Sequence, residues 1–280
     1  MSIELDIDHL KSWIGLERES FDTITPRLAS SLAAVLDEPC NLGAEDPAPV
    51  GIHWCLSPDI APMSGLGADG HPARGGFLPP VPLPRRMWAG GELRFTDEFR
   101  VGDEVHRVSR VQDVAVKTGR TGSLCFVTVQ HDYYTTRGAA LGERHDIVYR
   151  AIEPPKGGEP PKAELPAPDV ELHIQATPTL LSRYSAVTFN GHRIHYDRDY
   201  CIREEFYPGL IVHGPLQATY LLRMARQLNG DRFPGRFTFR GTSPLFDGAV
   251  FTANGRREKD GIQLWVQNAA GVMTMQAAAE

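Results

Sequence analysis

The alternation of apolar and polar residues over positions 91 to 149 limits the possible folds more than any other feature of this chain. Four segments show a period of two and are separated by turns that contain glycine: 91–99, 103–117, 123–135 and 145–150. Successive side chains of a strand point to opposite faces, so this period is typical of strands with one covered face. The pattern therefore predicts an antiparallel sheet.

The second half of the chain repeats this plan. A first strand is predicted at about 170–176 and a helix at about 215–228, and further strands follow at 233–240, 248–256, 261–268 and 271–278. The strand, acidic glycine turn and strand around Gly102 recur around Gly248, roughly 145 residues later. Two copies of a unit in which one long helix packs on a curved antiparallel sheet explain this repeat economically.

Other segments of the first half carry local signals. Residues 4–14 are expected to form a short amphipathic helix, and Thr25-Pro26 is expected to begin another, with threonine as the N-cap and proline at the first helical position. Residues 50–57 are expected to form a strand. The glycine- and proline-rich segment 58–91 is expected to be a loop, for which a function and simple flexibility are equally good explanations.

Composition and charge argue against several classes of protein. The 280 residues carry a net charge of −6, which is unlike a nucleic-acid surface. The N-terminal segment contains acids where a signal peptide needs a basic region, and no apolar run approaches the roughly 18 residues of a membrane span. The four cysteines are far apart, so neither a disulfide framework nor a cysteine zinc site is expected. A soluble, cytoplasmic protein is the resulting expectation.

Residues that can carry chemistry concentrate in the segment 184–225. Asn190, His192 and His195 follow a short apolar run, and a His-Gly-Pro sequence at 213–215 then opens an amphipathic helix. Imidazoles and an amide beside so much apolar sequence indicate a site.

These two elements resemble a known motif. The run Phe189-Asn-Gly-His-Arg-Ile-His195 and the later His213-Gly214-Pro215 are similar to the motif of the (R)-specific enoyl-thioester hydratases, also called MaoC-like or type 2 hydroxyacyl-thioester dehydratases. The resemblance implies an α+β double hot-dog fold, with two curved antiparallel sheets that each wrap on a central helix. It also implies an enzyme that uses no cofactor. The catalytic aspartate of the motif is replaced by Asn190, a variant that resembles a two-domain subgroup including mesaconyl- and itaconyl-CoA hydratases.

The resemblance and the chemistry of hydration together suggest three catalytic roles. His195 can take a proton from water and return it to Cα, because imidazole titrates near neutral pH. Asn190 is not a base, but its amide can accept a hydrogen bond from the water and fix its position. The backbone N–H of Gly214, at the predicted start of the helix, can stabilise the negative charge that develops on the thioester oxygen.

Substrate contacts are expected from four further residues. Arg193 can bind a phosphate or a substrate carboxylate, or can pair with Asp197; these alternatives stay open. Arg85 and Arg86 follow a proline-rich loop and suit CoA phosphates or a carboxylated acyl chain, with solvated surface charge as the equal alternative. His213 is expected to hold its loop or to contact substrate. The His192-x-x-His195 pair is not expected to bind a metal, because it follows a predicted strand and lacks a third ligand.

The resulting interpretation is reversible hydration of an α,β-unsaturated acyl-CoA, with a short dicarboxylyl-CoA favoured over a long-chain substrate of fatty-acid metabolism. A degenerate hot-dog domain is expected over 1–150, a proline-rich linker over 151–169 and a catalytic hot-dog domain over 170–280.

The alternatives to a hydratase are an acyl-CoA thioesterase that uses Glu204 or Glu205, and a non-catalytic acyl-thioester binder. A homodimer or higher oligomer is expected, because open sheet edges need covering. No nucleic-acid or membrane partner is expected.

Overall fold

The computed structural model describes residues 5–119, 122–152, 162 and 164–280. Its strands are β1 (Glu17–Thr23), β2 (Arg85–Phe95), β3 (Glu104–Gly119), β4 (Gly122–Thr135), β5 (Gly138–Arg150), β6 (Val170–Gln175), β7 (Arg236–Gly241), β8 (Val250–Glu258), β9 (Gly261–Gln267) and β10 (Met273–Ala279). Its α-helices are α1 (Ile7–Lys11), α2 (Pro26–Val35), α3 (Pro178–Val187), α4 (Arg198–Arg203) and α5 (Gly214–Leu228). Short 3-10 turns lie at Ile52–Cys55, Met63–Gly65 and Arg193–His195.

These strands form one antiparallel sheet with the order β1-β3-β4-β5-β2-β7-β10-β9-β8-β6. Each half of the chain contributes five strands, and both halves follow the same order from the outer edge to the centre. The repeat predicted from the sequence is therefore confirmed. The halves meet where β2 pairs with β7 and Leu93 lies opposite Phe237. The two expected sheets are thus joined edge to edge into a single one.

Helix α5 is the long helix predicted for the second half. It contacts β7, β8, β9 and β10. Its apolar side chains follow the helical period, and Leu216, Leu221 and Met224 are buried in the core. The core that surrounds α5 also contains Tyr133 and Leu141 from the first half, so the apolar interior is continuous across the two halves.

The first half differs from the expectation of a central helix. Within its described residues no helix as long as α5 lies on the sheet, and α2 packs against α3 instead. Both helices begin with Thr-Pro: Thr25 Oγ1 accepts a hydrogen bond from Leu28 N, and Thr177 Oγ1 accepts one from Leu180 N, each at 3.1 Å. These matched helix starts belong to the internal repeat.

The strand predicted at 50–57 is wrong. Residues Ile52–Cys55 form a 3-10 turn, because Gly51 has a φ of +80° and lies against α5. A Cβ on Gly51 would come within 2.7 Å of Thr219 Oγ1. This close approach brings the first half against the central helix of the second.

Two other segments differ from the sequence patterns. The chain before His192 forms helix α3 rather than a strand, and β1, which was not predicted, pairs with β3. The linker predicted at 151–169 lies largely outside the described residues. No helix in the described part of the chain combines the length and apolar character needed to cross a membrane.

Candidate active site

The site is built on the turn that follows α3. Phe189 has a φ of +51°, which reverses the chain. Asn190 Oδ1 then accepts a hydrogen bond from His192 N at 2.9 Å, and Asn190 N donates to Ser185 O at 2.8 Å. This Asx turn fixes the backbone just before the 3-10 turn that carries His195. Asn190 therefore orders the turn, and its oxygen keeps one lone pair for a further donor.

His195 is held in one tautomer. Its Nδ1 lies 2.7 Å from the carbonyl oxygen of Ile211, and a carbonyl only accepts, so the proton is on Nδ1. Nε2 therefore carries the lone pair and makes no hydrogen bond within the described residues. The residue is 6 % exposed, and burial lowers its pKa to about 4 against the opposing effect of the Ile211 hydrogen bond. His195 therefore carries a neutral imidazole at physiological pH, with Nε2 able to accept a proton.

His213 supports His195 from one face. The two rings are stacked with centroids 3.6 Å apart, and His213 Nε2 lies 2.8 Å from Ser185 Oγ. His213 is 1 % exposed, and burial, followed by the charge of His195, lowers its pKa well below the usual value. His213, predicted to hold its loop or to contact substrate, therefore packs against His195.

Gly214 is the first residue of α5, and within the described residues its N–H has no acceptor. First-turn N–H groups lie at the positive end of the helix dipole, so this N–H can stabilise an oxyanion. A Cβ on Gly214 would lie 2.9 Å from Trp88 Cε3, so glycine makes room for Trp88 as well as for a ligand.

The three predicted arginines have different surroundings. Arg193 pairs with Asp197, with Nη2 2.8 Å from Oδ2, and stacks on Tyr200. Arg85 is buried and pairs with Glu205, with Nε 2.8 Å from Oε2. These two guanidinium groups are already engaged by protein carboxylates.

Arg86 has no carboxylate within ion-pair distance among the described residues. The positive charge of Arg86 nevertheless affects an imidazole near the site. Burial lowers the pKa of His192, and the charges of His71, His195 and Arg86 lower it further. Arg86 is therefore the predicted arginine that no carboxylate of the described residues engages.

A loop from the first half completes the site, and the glycine-rich composition of 58–91 was its only signal in the sequence. Asp69 O accepts a hydrogen bond from Arg193 N at 2.9 Å. Gly70 has a φ of +87°, and a Cβ there would collide with the carbonyl oxygen of Gly191. The loop thus packs backbone to backbone against the turn that carries His192.

This contact places Asp69, His71 and His192 together. Asp69 Oδ2 lies 3.1 Å from His71 Nδ1, and the ring centroids of His71 and His192 are 4.1 Å apart. Ligand-type atoms of the three side chains lie within 4.8 Å of one another. The group has the donor types of a metal site, although Asp69 and His71 are hydrogen-bonded to each other. It does not include His195, so it differs from the His192-x-x-His195 pair that the sequence presented.

The first half also contains a buried polar cluster around Glu143, which the sequence did not reveal. The Glu143 carboxylate accepts hydrogen bonds from Trp54 Nε1 at 2.6 Å and Tyr133 OH at 2.9 Å, and it lies 2.6 Å from His145 Nε2. Burial raises the pKa of Glu143, but the charge and hydrogen bond of His145 outweigh that effect and hold it well below its usual range. The His145 ring also contacts Trp88, which packs at the start of α5.

Solved structures share this architecture. A MaoC-like dehydratase from Phytophthora capsici superimposes with a TM-score of 0.71 at 14 % identity, covering 98 % of this chain and 97 % of that chain. A Mycobacterium tuberculosis protein described as having a double hotdog fold gives a TM-score of 0.54 at 14 % identity, covering 95 % and 96 % of the two chains. The fold is the expected α+β double hot dog.

Sequence comparison defines the enzyme class. A family model described as hydroxyacyl-thioester dehydratase type 2 matches residues 51–247. The chain is also 41 % identical over 271 residues to the mesaconyl-C(4)-CoA hydratase of Chloroflexus aurantiacus, with 96 % of each chain covered. A double hot-dog protein of this kind is a hydro-lyase that adds water to, or removes it from, acyl thioesters. The chain belongs to the hydroxyacyl-thioester dehydratase type 2 family.

Proposed function

We propose that this chain catalyses the reversible hydration of a short dicarboxylyl-CoA of the mesaconyl type. The observation that carries the proposal is the hydrogen bond from His195 Nδ1 to Ile211 O at 2.7 Å, which leaves Nε2 as a neutral base. The 41 % identity to a mesaconyl-C(4)-CoA hydratase over nearly the whole chain supports the choice of substrate.

The chemistry needs one base and one oxyanion donor. His195 Nε2 takes a proton from water as the water oxygen bonds to Cβ of the unsaturated thioester. The electron pair of the C=C bond moves onto the thioester carbonyl, and the N–H of Gly214 stabilises the resulting enolate oxygen. The His195 imidazolium then returns its proton to Cα, which restores the base. Atoms and charge balance within these steps without a cofactor.

The remaining residues support this chemistry. Asn190 holds the turn and can orient the water with its free lone pair, and His213 keeps the imidazole of His195 in place by stacking. Arg86 is the proposed contact for a substrate anion, since Arg85 and Arg193 are already paired.

Under this proposal the two halves of the chain contribute different parts of the site. Residues 170–280 provide the base and the helix start, and residues 1–150 provide the loop and the aromatic wall of the acyl pocket. Trp88 stacks on Phe239 with centroids 4.5 Å apart and contacts Trp54, so large rings fill the space beside Gly214. Such a wall favours a short acyl chain over a long one.

A homodimer that covers the outer strands β1 and β6 is part of the proposal, and its mass can be measured by light scattering.

A thioesterase is less well supported. Its base would be Glu204 or Glu205, but the Glu205 carboxylate is buried and bonded to Arg85. Attack on the thioester carbonyl would also leave His195 without a role.

A panel of thioesters tests the proposal. Crotonyl-, mesaconyl-, itaconyl- and long-chain trans-2-enoyl-CoA are incubated with the enzyme, and loss of enoyl-thioester absorbance is followed together with the product mass. We expect the highest kcat/KM for a dicarboxylyl ester and a product heavier by one water. Release of free CoA would show that the enzyme is a thioesterase. A preference for the long-chain ester would indicate a substrate of fatty-acid metabolism.

A further inference from the structure

His192 has an unused imidazole at the edge of the site. The residue is 8 % exposed, and neither ring nitrogen makes a hydrogen bond within the described residues. A neutral imidazole has one N–H donor, and at His192 that donor is left for solvent or a ligand. The ring lies between those of His71 and His195, with centroids at 4.1 and 5.5 Å. An acceptor supplied by a ligand would therefore bind within reach of the catalytic base.

The Asp69–His71 pair stands on the far side of His192. Because an ionised carboxylate only accepts, His71 donates its Nδ1 proton to Asp69 Oδ2. His71 N also donates to Asp69 Oδ1 at 3.1 Å, so the carboxylate fixes both the ring and its backbone. Burial lowers the pKa of His71 by more than the hydrogen bond to Asp69 raises it, so the ring is neutral and its Nε2 carries the lone pair.

Arg86 adds a permanent positive charge to this group. It acts electrostatically on Asp69, His71 and His192 and has no ion-pair partner among the described residues. A guanidinium charge near an imidazole with a free N–H donor suits the binding of a carboxylate.

The chemistry of the proposed substrate places a carboxylate at this position. In a mesaconyl-C(4)-type thioester the free carboxylate is bonded to Cβ, the carbon that water attacks. The carboxylate must then lie next to the attacking water and hence next to His195.

Asn190 fits the same explanation. Its side-chain oxygen accepts from His192 N, and an aspartate would make that hydrogen bond equally well. The turn therefore does not require an amide. Asp69 already places one negative charge near His192. A second negative charge at 190 would add to the repulsion of a carboxylate on Cβ, whereas the neutral amide does not.

We propose that His192 and Arg86 form a binding site for the carboxylate on Cβ of the substrate, with the Asp69–His71 pair packed against His192 and neutral Asn190 adding no second negative charge. The site rests on the proposed function and gives it a basis for substrate choice. It contains no metal ion in this proposal, and the imidazole of His192 acts as a hydrogen-bond donor.

The test compares kcat/KM for mesaconyl-CoA with that for crotonyl-CoA, which lacks the carboxylate. Arg86→Met and His192→Phe should each lower the mesaconyl-to-crotonyl ratio by about 30-fold or more, since each removes a proposed partner of the substrate carboxylate. Asn190→Asp is nearly isosteric and keeps the turn, so it gives an answer even if the other variants fold poorly. It should also lower the ratio, by about tenfold or more. Arg94→Met is the matched control, because Arg94 lies on the same strand but is exposed and paired with Glu92.

The outcomes separate this site from the proposed function. Hydration of neither ester by the wild type would reject the proposed function itself. Fast hydration of mesaconyl-CoA with variants that slow both esters equally would leave the function standing and reject the carboxylate site. One tightly bound divalent metal ion per chain, with activity lost on chelation, would also reject it and assign Asp69, His71 and His192 as metal ligands.

Discussion

Protonation of His195 is expected to affect both stability and activity between pH 4 and pH 6.5. Burial lowers its pKa from 6.5 to about 4, despite the hydrogen bond to Ile211. One pKa unit corresponds to about 1.4 kcal/mol, so the full difference between the folded and unfolded states is about 3 kcal/mol. The pKa shift can be converted into a free energy in this way because the side chain is buried and poorly screened by solvent.

The direction follows from proton binding. In this pH range the unfolded chain binds a proton at His195 and the folded protein does not. The free energy of unfolding therefore falls as the pH falls from 6.5 towards 4, and His195 has no such effect above pH 6.5. Other buried imidazoles, such as His53 with a pKa lowered by burial to about 4, act in the same direction.

Urea denaturation of the wild type and His195→Gln at pH 7.5 and pH 4.5 isolates the contribution of His195. The wild type should lose about 2–3 kcal/mol more than the variant between the two pH values. The kcat/KM of the wild type should be constant from pH 8 to about pH 5.5 and decline with a midpoint near 4. Equal pH dependence of stability in both proteins, or an activity midpoint near 6.5, would refute a buried neutral base at this position.

Three further substitutions test other parts of the structure. Arg85→Met leaves the buried Glu205 carboxylate unpaired at a cost of about 3–5 kcal/mol, and the melting temperature should fall by roughly 10 °C; a fall below about 2 °C would contradict the buried pair. Gly214→Ala places a methyl group against Trp88 and should lower kcat/KM by about tenfold or more, because the helix start must shift; unchanged kinetics would show that the start of α5 has no part in the reaction. Thr177→Ala removes the cap of α3 and should lower the free energy of unfolding by about 1 kcal/mol in urea denaturation; an unchanged value would mean that the cap contributes nothing.

Local patterns predicted most of the sheet and the long helix. The period-two segments of the first half correspond to β2 to β5, and the predicted helix at about 215–228 is α5 at Gly214–Leu228. These elements could be predicted because each buries one face, and the burial repeats with the period of the backbone. The Thr-Pro signal also located the start of α2, since the cap and the missing proline N–H act within a few residues.

The errors arose where distant contacts determine the local structure. Residues 50–57 have the apolar composition of a strand, but packing of Gly51 against Thr219 of α5 turns them into a 3-10 helix. Strand β1 has the polar sequence of an exposed edge, with Glu17, Glu19 and Asp22 among its residues, so it lacks the apolar alternation of the inner strands.

The site was only partly predictable for the same reason. Asn190, His195 and Gly214 lie within one short segment, and their spacing carried the resemblance to a hydratase motif. Asp69 and His71 come from a loop more than a hundred residues earlier, and only the folded chain shows that they meet His192. The pairing of Arg85 with Glu205 likewise joins distant segments, so the sequence could not distinguish Arg85 from Arg86.

The most direct test of the central claim is the activity of His195→Ala on the thioester that the wild type hydrates fastest. We expect kcat/KM to fall by about 10²- to 10⁴-fold, the usual contribution of a general acid–base group. The fold, measured by circular dichroism, and the affinity for a saturated acyl-CoA should be retained. His173→Ala, which changes an exposed imidazole on β6, should keep wild-type activity. A folded His195→Ala protein that hydrates the ester at the wild-type rate would contradict the assignment of His195 as the base.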